Sequence, residues 1–384
     1  MVAAVDPLGL TLAAWETLAA EWSLPRYRGR QIFDALHRRG VRDYSAIREL
    51  PGALRERLAG ELPLAFPEIV RRELSEDGSA KYGLRLADGA LIEAVWMPGE
   101  PARARVNEFE DARTILNFEF RNSKLPESSN SKFEFRDSKY TVCLSSQTGC
   151  AVDCAFCVTG RLGGGRNLSA GEILGQLYAV QHDSGRTGEG LRIVFMGMGE
   201  PFLNPEGVLP ALDILFETLS PRRVTVSTAG ITPAFEVFAA RPRRPNLAVS
   251  VNAADQETRV RLMPITRTYP LEQVVEAMRA WPLEPRRRIT AEYVLIAGEN
   301  DSPDDARRLA RLLSGIRVKV NLIPLNEDPR YLPGWKRPDD ASIDGFARRL
   351  AESRMAVTVR RSRGPDARAA CGQLKGRLED LRRK

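Results

Sequence analysis

The chain has 384 residues, room for two or three domains, and its 57 Lys and Arg against 50 Asp and Glu give a formal net charge of +7. This excess of positive charge suits a polyanionic partner. No apolar run reaches the roughly 18 residues of a membrane span, and the opening MVAAVDPLGL has no basic stretch before its apolar part, so we expect a cytoplasmic protein that contacts no membrane.

The first segment, residues 1–65, is predicted to be helical and basic. Within it, PRYRGRQIFDALHRRG brings five arginines close together: Arg26, Arg28, Arg30, Arg38 and Arg39. Such a run is typical of a solvated helix face as well as of a surface that binds phosphates. We assign the segment to a small helical accessory domain.

Residues 66–100 are predicted to form a β-hairpin linker. YGLRLADGALIEAVWM contains two alternating β-rich runs, and Asp88-Gly89 between them favours a tight hairpin turn. The second run carries Glu93. From this strand pattern alone, Glu93 is expected to be a surface carboxylate.

An unusual low-complexity segment follows, at residues 101–139. Here FEFRNSK, at 118–124, recurs as FEFRDSK, at 133–139, with the turn-rich LPESSNS between them. Two copies are too few for a solenoid. We expect a mobile insertion without a catalytic role.

The remaining chain alternates between β-rich and helical patterns. From Val142 onward seven strand candidates are separated by six helices, which predicts an α/β domain with a parallel sheet, either doubly wound or an open or closed barrel. Ser169 before Glu172 and Ser302 before Asp305 predict capped helix starts. We assign this domain to residues 140–376 and a short basic tail to 377–384.

The cysteines have an uneven distribution. Four of the five fall within CLSSQTGCAVDCAFC. This clustering is unlike a disulfide framework, which holds a short secreted domain together. Cys150, Cys154 and Cys157 lie in one loop directly after the strand that carries Cys143. Three thiolates from one loop suit an iron–sulfur cluster with one open iron, whereas a structural zinc ion needs four ligands and would require Cys143 as well. Both kinds of site are compatible with the spacing.

Small polar residues and glycines follow several of the other strands. In a parallel βα array, ligands bind at the carboxyl ends of the strands, and a glycine there lets the backbone approach a ligand closely. We expect these residues to form a cofactor site facing the cysteine loop. They are Gly199, Glu200, Ser227, Ser250, Asn252 and Asn326.

The fifth cysteine, Cys371, follows the last predicted strand. An isolated cysteine is more often a small buried hydrophobic residue than a nucleophile. A position after the last strand would nevertheless bring Cys371 to the same rim as the cysteine loop.

Taken together, several stretches resemble the RlmN/Cfr family of radical S-adenosylmethionine RNA methyltransferases. The resemblance covers nearly the whole chain outside residues 100–139. The stretches are CLSSQTGCAVDCAFC, FMGMGEPFLN, VTVSTAGI, RLMPITRTYPL, VNLIPLN and RRSRGPDARAACGQL.

The resemblance implies a partial (β/α)6 barrel preceded by a small helical RNA-binding domain. It also implies a 4Fe–4S cluster held by Cys150, Cys154 and Cys157, and two molecules of S-adenosylmethionine per turnover. The implied reaction is methylation of C2 of an adenosine in 23S ribosomal RNA and of an adenosine beside the tRNA anticodon. An electron donor such as flavodoxin and a monomeric state are further expectations.

In the mechanism implied by the resemblance, Cys371 is first methylated on sulfur and then becomes covalently joined to the RNA through that carbon. Cys143 resolves the adduct by forming a disulfide with Cys371. Glu93 matches the family glutamate that removes the proton from the ring carbon. These steps split one difficult reaction into several easier ones.

The same matching assigns the cofactor-binding positions. They are Gly199, Glu200, Ser227, Ser250, Val251, Asn252 and Asn326. One departure concerns Ser250-Val251-Asn252, where the family usually has Ser-Leu-His. Asparagine can form hydrogen bonds but cannot titrate, so the substitution is compatible with binding and not with proton transfer.

Three alternatives stay open on the sequence. The first is C8 methylation of the ribosomal adenosine, as in the Cfr branch. The second is a non-catalytic RNA-binding module stabilised by zinc. The third is a family member that the 101–139 insertion makes inactive.

Overall fold

The protein is described by a computed structural model that covers residues 6–99, 139–161, 163–186, 188–360 and 372–374. Cys371, nearly all of the 101–139 insertion and the 377–384 tail lie outside these residues. Within them, ten strands form one sheet in the order of the sequence. The strands are β1 (Glu68–Leu74), β2 (Ala80–Arg85), β3 (Leu91–Pro98), β4 (Tyr140–Cys143), β5 (Leu191–Phe195), β6 (Val224–Thr228), β7 (Asn246–Ser250), β8 (Ile289–Leu295), β9 (Val318–Pro324) and β10 (Ala356–Val359).

Strands β4 to β10 are parallel, and helices connect each strand to the next. These seven strands are the predicted ones, which confirms the α/β class. In the described residues β10 pairs with β9 and closes onto no other strand, as expected of a partial barrel. The helices are α1 (Leu12–Glu21), α2 (Tyr27–His37), α3 (Gly52–Glu61), α4 (Val158–Arg161), α5 (Ala170–Ser184), α6 (Pro205–Phe216), α7 (Thr232–Ala239), α8 (Gln256–Leu262), α9 (Leu271–Ala280), α10 (Pro303–Leu312) and α11 (Asp340–Glu352).

Three antiparallel strands extend the parallel sheet at its first edge. The predicted hairpin is present as β2 and β3, with Gly89 at a φ of +82° in the turn. The sequence did not predict β1, which pairs with β2. Strand β3 also pairs with β4, where Val95 lies opposite Cys143. The hairpin is therefore a continuation of the barrel sheet that ends next to a candidate catalytic thiol.

The N-terminal helices share one hydrophobic core with the barrel. Helices α1 and α2 cross closely at Gly29, where a Cβ atom would lie 2.4 Å from the carbonyl oxygen of Trp15. His37 Nδ1 and the Tyr178 hydroxyl of α5 are 2.6 Å apart. Buried contacts of this kind fix the basic helices against the outer side of the barrel.

Both predicted helix caps are confirmed. Ser169 and Glu172 form a reciprocal capping box at the start of α5, and Ser302 and Asp305 do the same at α10. None of the helices in the described ranges is long and apolar enough to cross a bilayer.

Candidate active site

The loop that carries the three clustered cysteines is fixed by backbone contacts at the carboxyl end of β4. Cys150 N–H donates to the carbonyl of Gly163 (3.1 Å), and Cys157 N–H donates to that of Cys154 (3.0 Å). Ala155 N–H donates to the carbonyl of Leu262, the last residue of α8 (2.9 Å). The loop is thereby attached to a neighbouring glycine-rich turn and to the helix that follows β7.

The three thiols are close enough to influence one another electrostatically. Burial raises the pKa of the Cys150 thiol to about 12 and raises the pKa of Cys154 well above its usual value. In the described parts of the chain, no three His, Cys, Asp or Glu side chains are arranged to hold a single metal ion. The mutual electrostatic influence of the three thiols nevertheless places them near one another in the loop. That donor set fits a cluster with one open iron, and metal binding would drive off the thiol protons.

A small hydrophobic cluster joins this loop to the ends of four strands. One buried member belongs to the cysteine loop, and the others follow β6, β7, β8 and β9. They are Val152, Ala229, Ala253, Leu262, Met263, Ile296 and Leu325. Cys150, Cys154 and Phe156 pack against this cluster. The structure thus brings the cysteine loop and the strand ends together at one rim.

The glycines after β5 allow their loop to lie directly against the start of the segment that leads to the cysteines. A Cβ atom on Gly197 would lie 2.6 Å from the carbonyl oxygen of Leu144. Gly199 has a φ of +97°, and its Cβ would lie 2.5 Å from that of Gln147. Both positions therefore require glycine for packing, whatever they contact in addition.

Glu200, the next residue, is buried at this rim with 4% of its surface exposed. Its Oε1 accepts a hydrogen bond from Phe202 N–H (2.9 Å) and its Oε2 from Ala229 N–H (2.7 Å). Burial raises the pKa of the carboxyl to about 7, although hydrogen bonds from Ala229, Phe202 and Thr228 lower it. Each carboxylate oxygen has a second lone pair, so the group can also accept from a cationic ligand.

Four predicted site residues project from one face of the sheet. The strand registers run without a shift from β3 to β7, and paired side chains point to the same face and alternate along each strand. Glu93, Cys143, Ser227 and Ser250 have matching positions in this register. We call the face that carries them the inner face.

The inner face continues as a polar row into β8, β9 and β10, which the sequence did not predict. Ser250 pairs with Glu292, which pairs with Asn321, which pairs with Thr358. Asn321 donates to Glu292 (2.7 Å) and accepts from Thr358 (2.9 Å). Burial raises the pKa of the Glu292 carboxyl, while Arg360 and Asn321 lower it. The alternation of polar residues within each strand was the available signal.

The Ser250-Val251-Asn252 stretch is held tightly by protein contacts. Asn252 is buried at a φ of +55°. Its Oδ1 accepts from Val294 N–H (2.9 Å), and its Nδ2 lies 3.2 Å from the sulfur of Met263. Val251 is fully buried. In this structure the Asn252 side chain therefore positions the rim, whereas Asn326, after β9, is half-exposed there.

Arg259 of α8 is a site residue that the sequence pattern did not single out. It is fully buried, and its guanidinium donates to the carbonyls of Val251 (3.0 Å), Ser250 (3.0 Å) and Ala229 (2.6 Å). Burial lowers its pKa to about 10, opposed by Cys154. The group therefore stays charged at neutral pH and ties the ends of β6 and β7 together beside the cysteine loop.

Glu93 is buried, with 1% of its surface exposed, so the expectation of a surface carboxylate is wrong. The reason is that β3 is an interior strand, paired on both sides with β2 and β4. Its Oε1 lies 3.5 Å from the ammonium of Lys81 on β2. A carboxylate can be buried when an opposite charge is buried with it.

The residue that follows Cys371 packs on the cysteine loop. The carbonyl of Gly372 accepts from Val158 N–H (2.7 Å), one residue after Cys157. Gly372 has a φ of +82°, and a Cβ atom there would lie 3.3 Å from the Phe156 carbonyl oxygen. Cys371 itself lies outside the described residues. Its neighbour nonetheless reaches the loop from the far end of the chain.

Comparisons with known proteins agree with this geometry. Residues 144–312 match the family model of the Radical SAM superfamily. The chain is 41% identical over 352 residues to the dual-specificity RNA methyltransferase RlmN of Syntrophobacter fumaroxidans, covering 91% of each. It is 40% identical over 384 residues to the protein of the same name from Geobacter sulfurreducens, covering 98% of this chain and 94% of the other.

A solved structure agrees over almost the full length. The crystal structure of a radical SAM methyltransferase from Sphaerobacter thermophilus matches with a TM-score of 0.80 and 39% identity, covering 97% of this chain and 99% of the other. Radical SAM proteins use a 4Fe–4S cluster and S-adenosylmethionine, which favours the cluster over zinc. The chain therefore belongs to the RlmN family of radical S-adenosylmethionine RNA methyltransferases.

Proposed function

We propose that the protein methylates C2 of an adenosine in 23S ribosomal RNA and of the adenosine beside the anticodon of tRNA. The observation that carries the proposal is the shared inner face of Glu93 and Cys143, beside a cysteine loop on which Gly372 packs. This arrangement offers a buried carboxylate and a buried thiol on one face. Cys371, which directly precedes Gly372 in the sequence, would supply the second thiol.

In this proposal Cys150, Cys154 and Cys157 hold the cluster. Their loop is fixed by backbone hydrogen bonds, which supports a preorganised site. When bound, the cluster and S-adenosylmethionine supply a methyl group and a hydrogen-abstracting radical. The protein supplies binding and orientation.

The cofactor would be bound at the rim by the residues that the family resemblance indicates. Glu200 is suited to accept a hydrogen bond from the cofactor's amino group because it is an acid in a buried position with spare lone pairs. Gly199 lets the backbone approach. Ser227, Ser250 and Asn326 offer half-exposed polar groups, whereas Val251 and Asn252 shape the rim from beneath.

The chemical roles are divided among three side chains. Cys371 carries the methyl carbon on its sulfur and joins the RNA through it. Glu93 takes the proton from the substituted ring carbon. Cys143 then forms a disulfide with Cys371 as the bond between the Cys371 sulfur and the linking carbon breaks, and the proton of the Cys143 thiol passes to that carbon, which stays on the RNA as its methyl group. The burial of Glu93 and Cys143 supports these roles because it excludes water from the adduct.

RNA binding is assigned to the basic N-terminal helices. Four of their arginines pair with carboxylates at the surface: Arg26 and Arg30 with Glu16, Arg38 with Asp34, and Arg39 with Glu49. Exposed pairs of this kind contribute only about 0–1 kcal/mol, so phosphates can replace them. The target adenosine must leave its stack to reach the inner face. We further propose that the protein is a cytoplasmic monomer and that it receives electrons from a flavodoxin-like donor.

The decisive experiment is nucleoside mass spectrometry of RNA treated with the cluster-loaded enzyme, against 2-methyladenosine and 8-methyladenosine standards. We expect 2-methyladenosine, together with a methyl group on Cys371 in the protein. The 8-methyl product would replace the C2 assignment by the Cfr-type one. An unmethylated Cys371 alongside methylated RNA would overturn the two-thiol mechanism.

A further inference from the structure

Lys81, on β2, has a charged side chain that is almost completely buried. Only 2% of its side-chain surface is exposed. Its ammonium makes no hydrogen bond within the described residues. Instead it lies 3.3 Å from Glu73 Oε2 on β1 and 3.5 Å from Glu93 Oε1 on β3.

The strand registers create this position. Glu73 is the direct partner of Lys81 across β1 and β2, whereas Glu93 pairs with Gly83, two residues further along β2. Diagonal neighbours on one face are within reach of long side chains. Gly83 has no side chain between them, so the lysine can extend toward the Glu93 carboxylate.

A row of alternating charges results on the inner face, and it leads from the partly exposed edge strand β1 to Glu93. Arg71, which is partly exposed, contacts Glu73 Oε1 at 2.6 Å, and Glu73 contacts Lys81. Burying a charge is unfavourable even when it is paired, and an apolar side chain of similar size would often stabilise the fold as well or better. Stability alone is therefore a weak reason for a lysine at this position.

We infer that Lys81 is a positioning residue that keeps the Glu93 carboxylate ionised and fixes its orientation on the inner face from the β2 side, opposite to Cys143 on β4. The inference rests on the proposed role of Glu93 as the base. A buried carboxyl without a counter-charge would hold its own proton and could not accept another. A lysine ammonium provides that counter-charge as a compact point charge, without the two-pronged hydrogen bonding of an arginine.

The test measures separate steps in the cluster-loaded enzyme with RNA. Three quantities are followed: methylation of Cys371, release of 5′-deoxyadenosine, and methyladenosine in RNA. The variants are Lys81→Met, Lys81→Arg and, as the reference for loss of the base, Glu93→Gln. Arg85→Met is the control, because Arg85 lies on the same strand and its pair with Glu68 is exposed.

We expect Lys81→Met to keep methylation of Cys371 and formation of 5′-deoxyadenosine within about twofold of the wild type. Methyladenosine formed per 5′-deoxyadenosine should fall about 10–100-fold, somewhat less than the full contribution of a general base. The covalent RNA–protein adduct should accumulate on a denaturing gel, as in Glu93→Gln. Lys81→Arg, which keeps the charge, should restore the ratio to within about threefold.

Each result has a distinct meaning. An unchanged ratio in Lys81→Met, with Glu93→Gln blocked, would overturn the role of Lys81 and leave Glu93 as the base. A parallel loss of all three quantities would make Lys81 merely structural. A normal ratio of methyladenosine to 5′-deoxyadenosine in Glu93→Gln would show that Glu93 is not the base, and it would overturn the inference about Lys81. If Lys81→Met does not fold, Lys81→Gln tests the charge with a polar side chain.

Discussion

The pKa of Glu200 predicts a measurable dependence of stability on pH. Burial raises this pKa from 4.5 to about 7 in the folded protein. Between these values the folded state binds the proton more tightly than the unfolded chain does. The contribution of the protonated Glu200 carboxyl to the stability of the folded protein is therefore fully present below pH 4.5, and it is lost as the pH rises through about 7.

The size of the effect follows from the displacement of the pKa. Each pKa unit is worth about 1.36 kcal/mol, so a rise from 4.5 to about 7 corresponds to about 3 kcal/mol of unfolding free energy. Glu200→Gln removes the titration. Gln has one oxygen where Glu200 accepts from both Phe202 and Ala229, so the variant loses a hydrogen bond at every pH.

The assay is urea denaturation of the metal-free wild type and the variant at several pH values between 4.5 and 8. The quantity that tests the reasoning is the difference between the two unfolding free energies, because Glu292 and Asp6, whose pKa values burial also raises, titrate in both proteins. We expect the unfolding free energy of the wild type minus that of the variant to fall by about 3 kcal/mol as the pH rises. A difference independent of pH would show that the carboxyl is ionised throughout and would refute the argument.

Four further outcomes are expected. Below about pH 7, binding of S-adenosylmethionine should release more protons from the wild type than from Glu200→Gln, because N–H donors of the cofactor's amino group favour ionised Glu200; titration calorimetry in two buffers of different ionisation enthalpy measures the difference, and equal proton release would contradict it. Cys143→Ala should trap the RNA–protein adduct, visible on a denaturing gel, whereas free methylated RNA would exclude Cys143 as the resolving thiol. Arg259→Met should lower the unfolding free energy by about 2–5 kcal/mol in urea, since it leaves buried carbonyls without their donor; a change below about 1 kcal/mol would show that the rim relaxes. Arg28→Gln should reduce the salt dependence of RNA binding by about one phosphate contact, with Arg279→Gln as an unchanged control; equal slopes would remove α2 from the interface.

The parallel part of the fold was predictable because its signals are local. Each strand and each following helix has its own hydrophobic pattern, and Ser169 and Ser302 mark two helix starts within four residues. The cysteine loop is local too, since the spacing of three thiols is written in consecutive residues. Local features of this kind can be predicted without knowing the tertiary contacts of the rest of the chain.

The features that the sequence did not predict depend on which strands are neighbours in the sheet. Strand β1 carries charged residues at both faces and is half-exposed, so its pattern resembles a surface segment. Glu93 is buried because β3 lies between β2 and β4, and its counter-charge Lys81 comes from β2; neither contact can be read from a single strand. Helix α8 is short and charged, and Arg259 gains its role only where the ends of β6 and β7 meet.

The polar inner face connects the fold to its chemistry. A parallel sheet covered by helices on both faces has apolar residues on both, and here the face toward the helices follows that rule with Val226, Leu247, Val249 and Val320 buried. The inner face instead carries Ser227, Ser250, Glu292 and Asn321, which are costly to bury without partners. A face of this kind is stable only if polar ligands or water meet it. The same alternation that makes one side of the sheet a core therefore leaves the other side available to a charged cofactor and a nucleic-acid base.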